Sequence, residues 1–147
     1  MAAIALLGAV ALAACGDDDD DGGNSTASAN AEVLNAIAYI DAAGIHGINE
    51  SITTDKTIPP TAKATADKVQ TVLNITTWPK DLQPQAKALS AIFADMSASL
   101  EGDSPDLAKA GDASTKAHDG YHDFSHAVWD YLYEQGGVAD PDAGHAD

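Results

Sequence analysis

The stretch that decides the fold is residues 81–101, DLQPQAKALSAIFADMSASLE. Its apolar residues recur every three or four positions, so they share one side of a helix. Gly102 follows directly, and glycine commonly ends a helix. The stretch therefore predicts an amphipathic helix from Asp81 to Glu101 with one buried face. The residues of that face are Leu82, Ala86, Leu89, Phe93, Met96 and Leu100.

The same helical spacing recurs in three other segments, residues 31–53, 60–77 and 105–135. No segment alternates or is β-branched over a length that would favour a strand. The connections between the segments are short, which favours antiparallel packing of consecutive helices. We therefore predict an all-α fold, an antiparallel up-down-up-down four-helix bundle over residues 31–135.

A targeting pattern precedes this domain. Residues 2–14 form an apolar run that ends in Leu12-Ala13-Ala14-Cys15, and Gly16 and five aspartates follow. At about 1.5 Å per residue the run covers roughly 20 Å, short of a hydrocarbon core of about 30 Å. A signal peptide is therefore favoured over a transmembrane helix, and the pattern resembles the lipobox of bacterial lipoproteins.

This resemblance implies that residues 1–14 are removed and that Cys15 carries the lipid. The protein would then be anchored by acyl chains in the cell envelope, on the extracytoplasmic side of the membrane. In lipoproteins an aspartate after the cysteine causes retention at the inner membrane, so Gly16 implies the outer membrane where the organism has one. Residues 15–30, rich in Asp, Gly and Ser, are predicted to be a flexible acidic tether, and residues 136–147 a disordered tail.

Composition limits the partners of the chain. The net charge is −16, and the sequence contains no arginine. Nucleic acid is therefore not an expected partner, because phosphate binding needs a basic surface. Cys15 is the single cysteine, so once it is acylated neither a disulfide nor a thiolate metal ligand is available.

The last predicted helix carries His118, His122 and His126 at intervals of four residues. This spacing stacks the imidazoles along one side of a helix, and imidazole is the commonest metal ligand. Four-residue steps overshoot the helical turn of 3.6 residues, so the three rings cannot all face one buried ion. At most two neighbouring histidines of the series are expected to bind together.

A partner for His118 is predicted by assuming that Thr53 and Pro105 lie at the same end of the bundle. Residues that are equally far from these two along their helices then lie at the same level. This places Asp41, a carboxylate on an apolar stripe, opposite His118. The sequence therefore predicts a divalent zinc, iron or copper ion held by Asp41, His118 and His122. Water or Gln85 would complete the coordination. The alternative is a polar network in the core, in which Asp41 orients His118 and in which Tyr121, Ser125 and Gln85 take part.

His46 and Glu50 have the same four-residue spacing. Together with the histidines of the last helix they resemble, in part, the His-x-x-x-Glu and His-x-x-x-His pairs of hemerythrin-type di-iron bundles. The resemblance implies His46, Glu50 and His126 as weaker candidates for the metal site. Oxygen binding is not carried over, because the second and third predicted helices contain no histidine. His46 lies opposite the apolar stripe and needs a kink at Gly44 or Gly47 to turn inward; without one, His46 and Glu50 are expected to be solvated surface residues.

Other chemistries receive less support. Met96 and His118 are predicted to lie about 12 Å apart along the bundle, so they cannot be axial ligands of one haem, and Met96 is assigned to the core. No catalytic triad or phosphate loop is recognisable, which makes an enzyme the less favoured class.

Two hypotheses remain: a metal-binding lipoprotein for capture or storage, and a ligand-free envelope interaction protein. The second would meet a partner protein at Trp129, Tyr131 and Tyr133, unless these residues only seal the core.

Overall fold

A computed structural model describes residues 21–139. Within that range the chain forms five helices and no strand, so the all-α prediction is confirmed. The predicted signal peptide, Cys15 and the tail from residue 140 onward lie outside the described residues. No helix in the described range is long and apolar enough to cross a membrane. The helices are α1 (Asp21–Asp41), α2 (Ile45–Thr53), α3 (Ala62–Ile75), α4 (Gln83–Ser99) and α5 (Leu107–Gly136).

Helix α1 begins earlier than the sequence suggested. Residues 21–30 were predicted to belong to a flexible tether, but they are helical. Packing begins at Val33, which is fully buried, and the residues just before it are mostly small, polar and free of proline. Such residues can extend a helix that packing has already nucleated. The tether prediction is therefore wrong for residues 21–30.

The first predicted helix is divided in two. Gly44 adopts φ 76°, a left-handed conformation that glycine reaches without steric cost, and it separates α1 from α2. Ala42 and Ala43 close the turn after α1 through backbone hydrogen bonds to Ala38 and Ile40. Because the helix restarts at Ile45, residues after the break point in directions that a continuous helix would not allow.

Helix α5 has well-defined ends. The side chain of Asp106 accepts a hydrogen bond from the backbone of Lys109 at 3.0 Å, which caps the first turn and lowers the pKa of Asp106. Gly137, at φ 62°, follows the last turn. The predicted end of the last helix at Gly136 is confirmed, whereas Asp106 was not recognised as its cap.

The helices pack around one apolar core. Helix α3 packs on α4, α4 packs on α5, and α5 packs on both α1 and α2. Met96, predicted to be a core residue, is 2% exposed. The indole of Trp78 lies edge-on against Phe124 with ring centroids 4.9 Å apart, and its nitrogen donates to the carbonyl of Leu73. The largest fully buried apolar side chains are Val33, Ile37, Ile40, Ile52, Val69, Leu89, Phe93, Phe124 and Val128.

Candidate metal site

Three histidine side chains converge on the surface between α2 and α5. Nδ1 of His46 lies 3.0 Å from Nε2 of His118, and Nε2 of His122 lies 3.2 Å from the same atom. One ligand atom from each residue lies within 4.8 Å of the other two. Among the described residues, this is the set of three or more metal-ligating side chains that could hold one ion.

The break at Gly44 is what brings His46 to this position. Ile45 and Ile48 are buried and fix α2 against its neighbour, while His46 between them is exposed at the edge of the contact. His118 and His122 are one turn apart on α5, so their rings are adjacent, with centroids 4.5 Å apart. A break is therefore present at Gly44, but His46 does not turn into the core: it stays exposed and meets α5 at the surface.

The spacing of the nitrogens suits a small cation. For a tetrahedral ion with bonds of about 2.0–2.1 Å to histidine nitrogen, neighbouring nitrogens are about 3.3 Å apart. The two separations at Nε2 of His118 are 3.0 and 3.2 Å, and all three ligand atoms lie within 4.8 Å of one another. Binding an ion would therefore require His46 and His122 to move closer together, and the hydrogen bonds between imidazoles would be exchanged for metal bonds.

The protonation state of His122 also suits a cation. Burial lowers the pKa of His122, and the neighbouring His118, His126 and His46 lower it further, while Asp119 opposes them. His122 is therefore neutral at physiological pH, with a lone pair available. A neutral imidazole is the form that binds metal.

Asp119 orients the central histidine. Its Oδ1 lies 3.2 Å from Nδ1 of His118, whose side chain is 18% exposed. A carboxylate at Nδ1 favours the tautomer that carries the proton there, and this leaves the lone pair on Nε2 facing the other two rings. Asp119 was not predicted from the sequence, although a carboxylate adjacent to a candidate ligand is a signal that could have identified it.

Asp41 is not part of the cluster. Its Oδ1 accepts a hydrogen bond from Ser125 at 3.0 Å, and its Oδ2 accepts one from Trp129 at 3.0 Å. Tyr121 lies close to Asp41, and burial, together with the charge of that carboxylate, raises the pKa of Tyr121 to about 12. The predicted set of Asp41, His118 and His122 is corrected here: in the described structure, His46 takes the place of Asp41.

The error came from the assumed alignment of the first and last predicted helices along the bundle. The prediction placed Thr53 beside Pro105, but Ile52 lies against Gly111, whose ideal Cβ position would be 4.0 Å from Ile52 Cγ2. Six residues of helix span about 9 Å. Residues before the Gly44 break are therefore displaced along α5, so Asp41 meets Ser125 and Trp129 instead of His118.

The remaining predicted residues lie outside the three-histidine set. Glu50 and His126 are exposed, and His126 acts on the cluster through its effect on the pKa of His122. Gln85 is exposed in a groove between α4 and α5. Ser125 and Tyr121 are next to Asp41, and the ring of Tyr121 also lies against that of His122, with centroids 4.9 Å apart. Ser125 and Tyr121 form, with Asp41 and Trp129, a group that we call the Asp41 network.

The aromatic end of α5 is partly covered. The hydroxyl of Tyr131 donates to the side chain of Asn30 at 3.0 Å, and the rings of Trp129 and Tyr133 lie 6.1 Å apart. All three aromatic residues are partly buried. Asn30 lies within α1, so this hydrogen bond links α1 to the end of α5.

Comparison with protein-family models, with curated proteins and with solved structures finds no match to this chain.

Proposed function

We propose that this chain is a membrane-tethered extracytoplasmic lipoprotein whose helical domain binds one divalent metal ion for capture or storage. The observation that carries the proposal is the convergence of His46, His118 and His122, with ligand atoms within 4.8 Å of one another. Zinc, iron and copper all accept imidazole nitrogen, and copper(II) is expected to bind most tightly of the three as a divalent ion. The orientation of His118 by Asp119 adds the support that metal-binding histidines usually have.

The charge of the protein supports a cation as the ligand. A net charge of −16 attracts divalent cations toward the surface and repels anionic ligands. Two of the three histidines are exposed, so an ion could enter from solvent without unfolding the domain. Both features suit capture of a free or weakly bound ion.

Zinc binding by the full chain, purified without a histidine tag, tests the proposal. We expect one zinc ion per chain, retained through dialysis, and a lower melting temperature after a chelator is added. His122→Ala should lose this zinc, whereas His126→Ala, on the same helix one turn away, should keep it. Absence of zinc from the wild type, with no effect of the chelator, would overturn the proposal.

The lipid anchor is proposed from the sequence alone. Its support is the apolar run of residues 2–14 directly before Cys15 and the acidic stretch after it. Expression in a bacterial host should place the wild type in the membrane fraction with an acylated cysteine. Cys15→Ser should abolish acylation and release the protein, and an unacylated wild type would contradict the anchor.

We also propose the antiparallel up-down-up-down topology, with α1 and α2 together forming its first arm. Asn49 of α2 is hydrogen-bonded to Ser114 of α5, and Asp41 of α1 is hydrogen-bonded to Ser125 further along α5. Residue numbers therefore decrease along the first arm as they increase along α5. Between α3 and α4, Asp67 bonds to Ser97 and Asn74 to Ser90. Both patterns are those of antiparallel neighbours.

A second candidate function is a ligand-free envelope interaction protein. It is favoured by the Asp41 network, in which donors and acceptor satisfy one another and leave nothing for a ligand to complete. Under this function the histidines are only surface residues that bond to one another. The zinc measurement separates the two candidates, because this one predicts neither bound metal nor a chelator effect.

A further inference from the structure

Helix α2 is attached to the rest of the domain mainly through one neighbour. Within the described residues, α5 is the only helix with which α2 makes extensive contact. Ile45, Ile48 and Ile52 are the buried side chains of α2. The other helices of the domain, in contrast, each pack on two or more partners.

Both ends of α2 have backbone conformations suited to a joint. Gly44 precedes the helix at φ 76°, and a Cβ added there would meet no atom within 4 Å. Lys56 follows it at φ 55°, unusual for a residue other than glycine. These two left-handed positions mark the points at which the chain turns into and out of the α2 segment.

Two polar contacts tie α2 to α5. The side-chain oxygen of Asn49 accepts hydrogen bonds from Ser114 at 2.9 Å and Thr115 at 3.4 Å. The other contact is the 3.0 Å pair of His46 and His118. This second tie lies at the candidate metal site, where one ligand comes from α2 and two come from α5.

We propose that the bound metal ion fastens α2 to α5, so that the occupancy of the site controls how tightly α2 is docked. This inference rests on the proposed metal binding. With α2 docked, the ion has three histidine ligands; with α2 displaced, only His118 and His122 remain. An ion shifts a conformational equilibrium only by the difference between its affinities for the two states, and that difference is here the contribution of His46.

The docking of α2 also shapes a groove. A cavity of about 490 Å³ lies between the end of α2 and the first turns of α5, lined by residues that include Ile52, Lys56, Leu107 and Gly111. Because one wall belongs to α2 and the following turn, displacement of α2 would change the width of the groove. Metal occupancy is therefore coupled to the shape of this surface.

Hydrogen exchange measured by mass spectrometry tests the coupling on the full chain, with zinc as the probe. Saturating zinc should slow exchange of the backbone amides of residues 45–53 by at least about tenfold, since losing one ligand typically costs that much affinity or more. Amides of α4, which contributes no ligand, should change far less. In His46→Ala, zinc should give no added protection to α2, while His126→Ala should behave as the wild type.

The outcomes separate this inference from the proposed function. If zinc binds to the wild type but exchange in α2 is unchanged, the fastening of α2 is overturned and metal binding stands. If zinc does not bind at all, the proposed function itself fails. As an independent check without metal, Asn49→Ala should speed exchange in α2, and unchanged exchange would contradict the view that few contacts hold this helix.

Discussion

The three-histidine cluster joins α2 to α5, and the Asp41 network joins α1 to α5. The two groups differ in the kind of side chain that lies at their centre. In the Asp41 network one carboxylate accepts hydrogen bonds from Ser125 and Trp129, and Tyr121 lies beside it. In the cluster Nε2 of His118 is shared by His46 and His122, and each of the three rings offers a nitrogen that can bind a metal ion. The carboxylate of the network is therefore occupied by donors from the protein, whereas the nitrogens of the cluster are those for which we propose a cation. The comparison teaches that the chemical type of the converging groups separates the two regions better than their burial does.

The largest expected effect is on the cluster. His118→Ala removes the nitrogen that lies nearest both other ligands. Loss of a residue that only hydrogen-bonds to a metal ligand already lowers metal affinity by about 10–100-fold. Loss of the ligand itself should therefore lower it by more than about 100-fold. Competition with a chromogenic chelator measures the zinc affinity. His126→Ala is the matched control and should remain within about twofold; equal losses in both variants would break the distinction between the cluster and its surroundings.

The next effect is on the stability of the Asp41 network. Asp41→Ala leaves the donors of Ser125 and Trp129 unpaired in a partly buried region. This should lower the free energy of unfolding by about 1–3 kcal/mol, measured by urea denaturation, with zinc affinity changed much less. Asp130→Ala, which removes an exposed carboxylate from α5, should have an effect below about 0.5 kcal/mol. A large loss of zinc affinity in Asp41→Ala, at unchanged stability, would instead restore Asp41 as a ligand.

A smaller effect is expected at the edge of the cluster. Asp119→Asn keeps the size of the side chain but weakens the interaction that orients His118. Zinc affinity should fall by about tenfold. Asp123→Asn makes the same charge change one turn further along α5, at another exposed position, and controls for the general loss of negative charge. If both variants lose the same affinity, Asp119 acts through charge alone and has no positioning role.

The smallest effect concerns the titration of one tyrosine in the Asp41 network. Burial and the Asp41 carboxylate raise the pKa of Tyr121 to about 12. Because its pKa is raised above the usual value of about 10, this phenol contributes stability below pH 10, and the contribution is lost as the pH rises through about 12. Ultraviolet titration should show a late-ionising tyrosine that is absent from Tyr121→Phe. A wild-type curve in which all tyrosines ionise near pH 10 would contradict the network.

Local patterns were sufficient to predict much of the fold. The apolar spacing of residues 81–101 and the glycine after it predicted a helix that the structure gives as Gln83–Ser99. The end of α5 at Gly136 was also predicted correctly. Both features depend on residues close together in sequence, so periodicity and helix-ending residues are enough to find them.

The ligand set could be predicted only in part, because it depends on how helices far apart in sequence are aligned. His118 and His122 were identified from their spacing on one helix. His46 required the break at Gly44, and the sequence offered both Gly44 and Gly47 without deciding between a kink and a continuous helix. Asp41 was misplaced because the contact of Ile52 with Gly111, which sets the alignment of α2 along α5, has no local signal.

The most direct test of the account is nitrogen NMR of the histidine rings in the full, untagged chain, recorded with and without one equivalent of zinc. We predict that three ring nitrogens take metal-bound chemical shifts together: Nδ1 of His46 and Nε2 of His118 and His122. His126 should keep its metal-free shifts. Unchanged rings throughout, or coordination by His122 and His126 without His46, would contradict the claim that α2 and α5 jointly hold an ion.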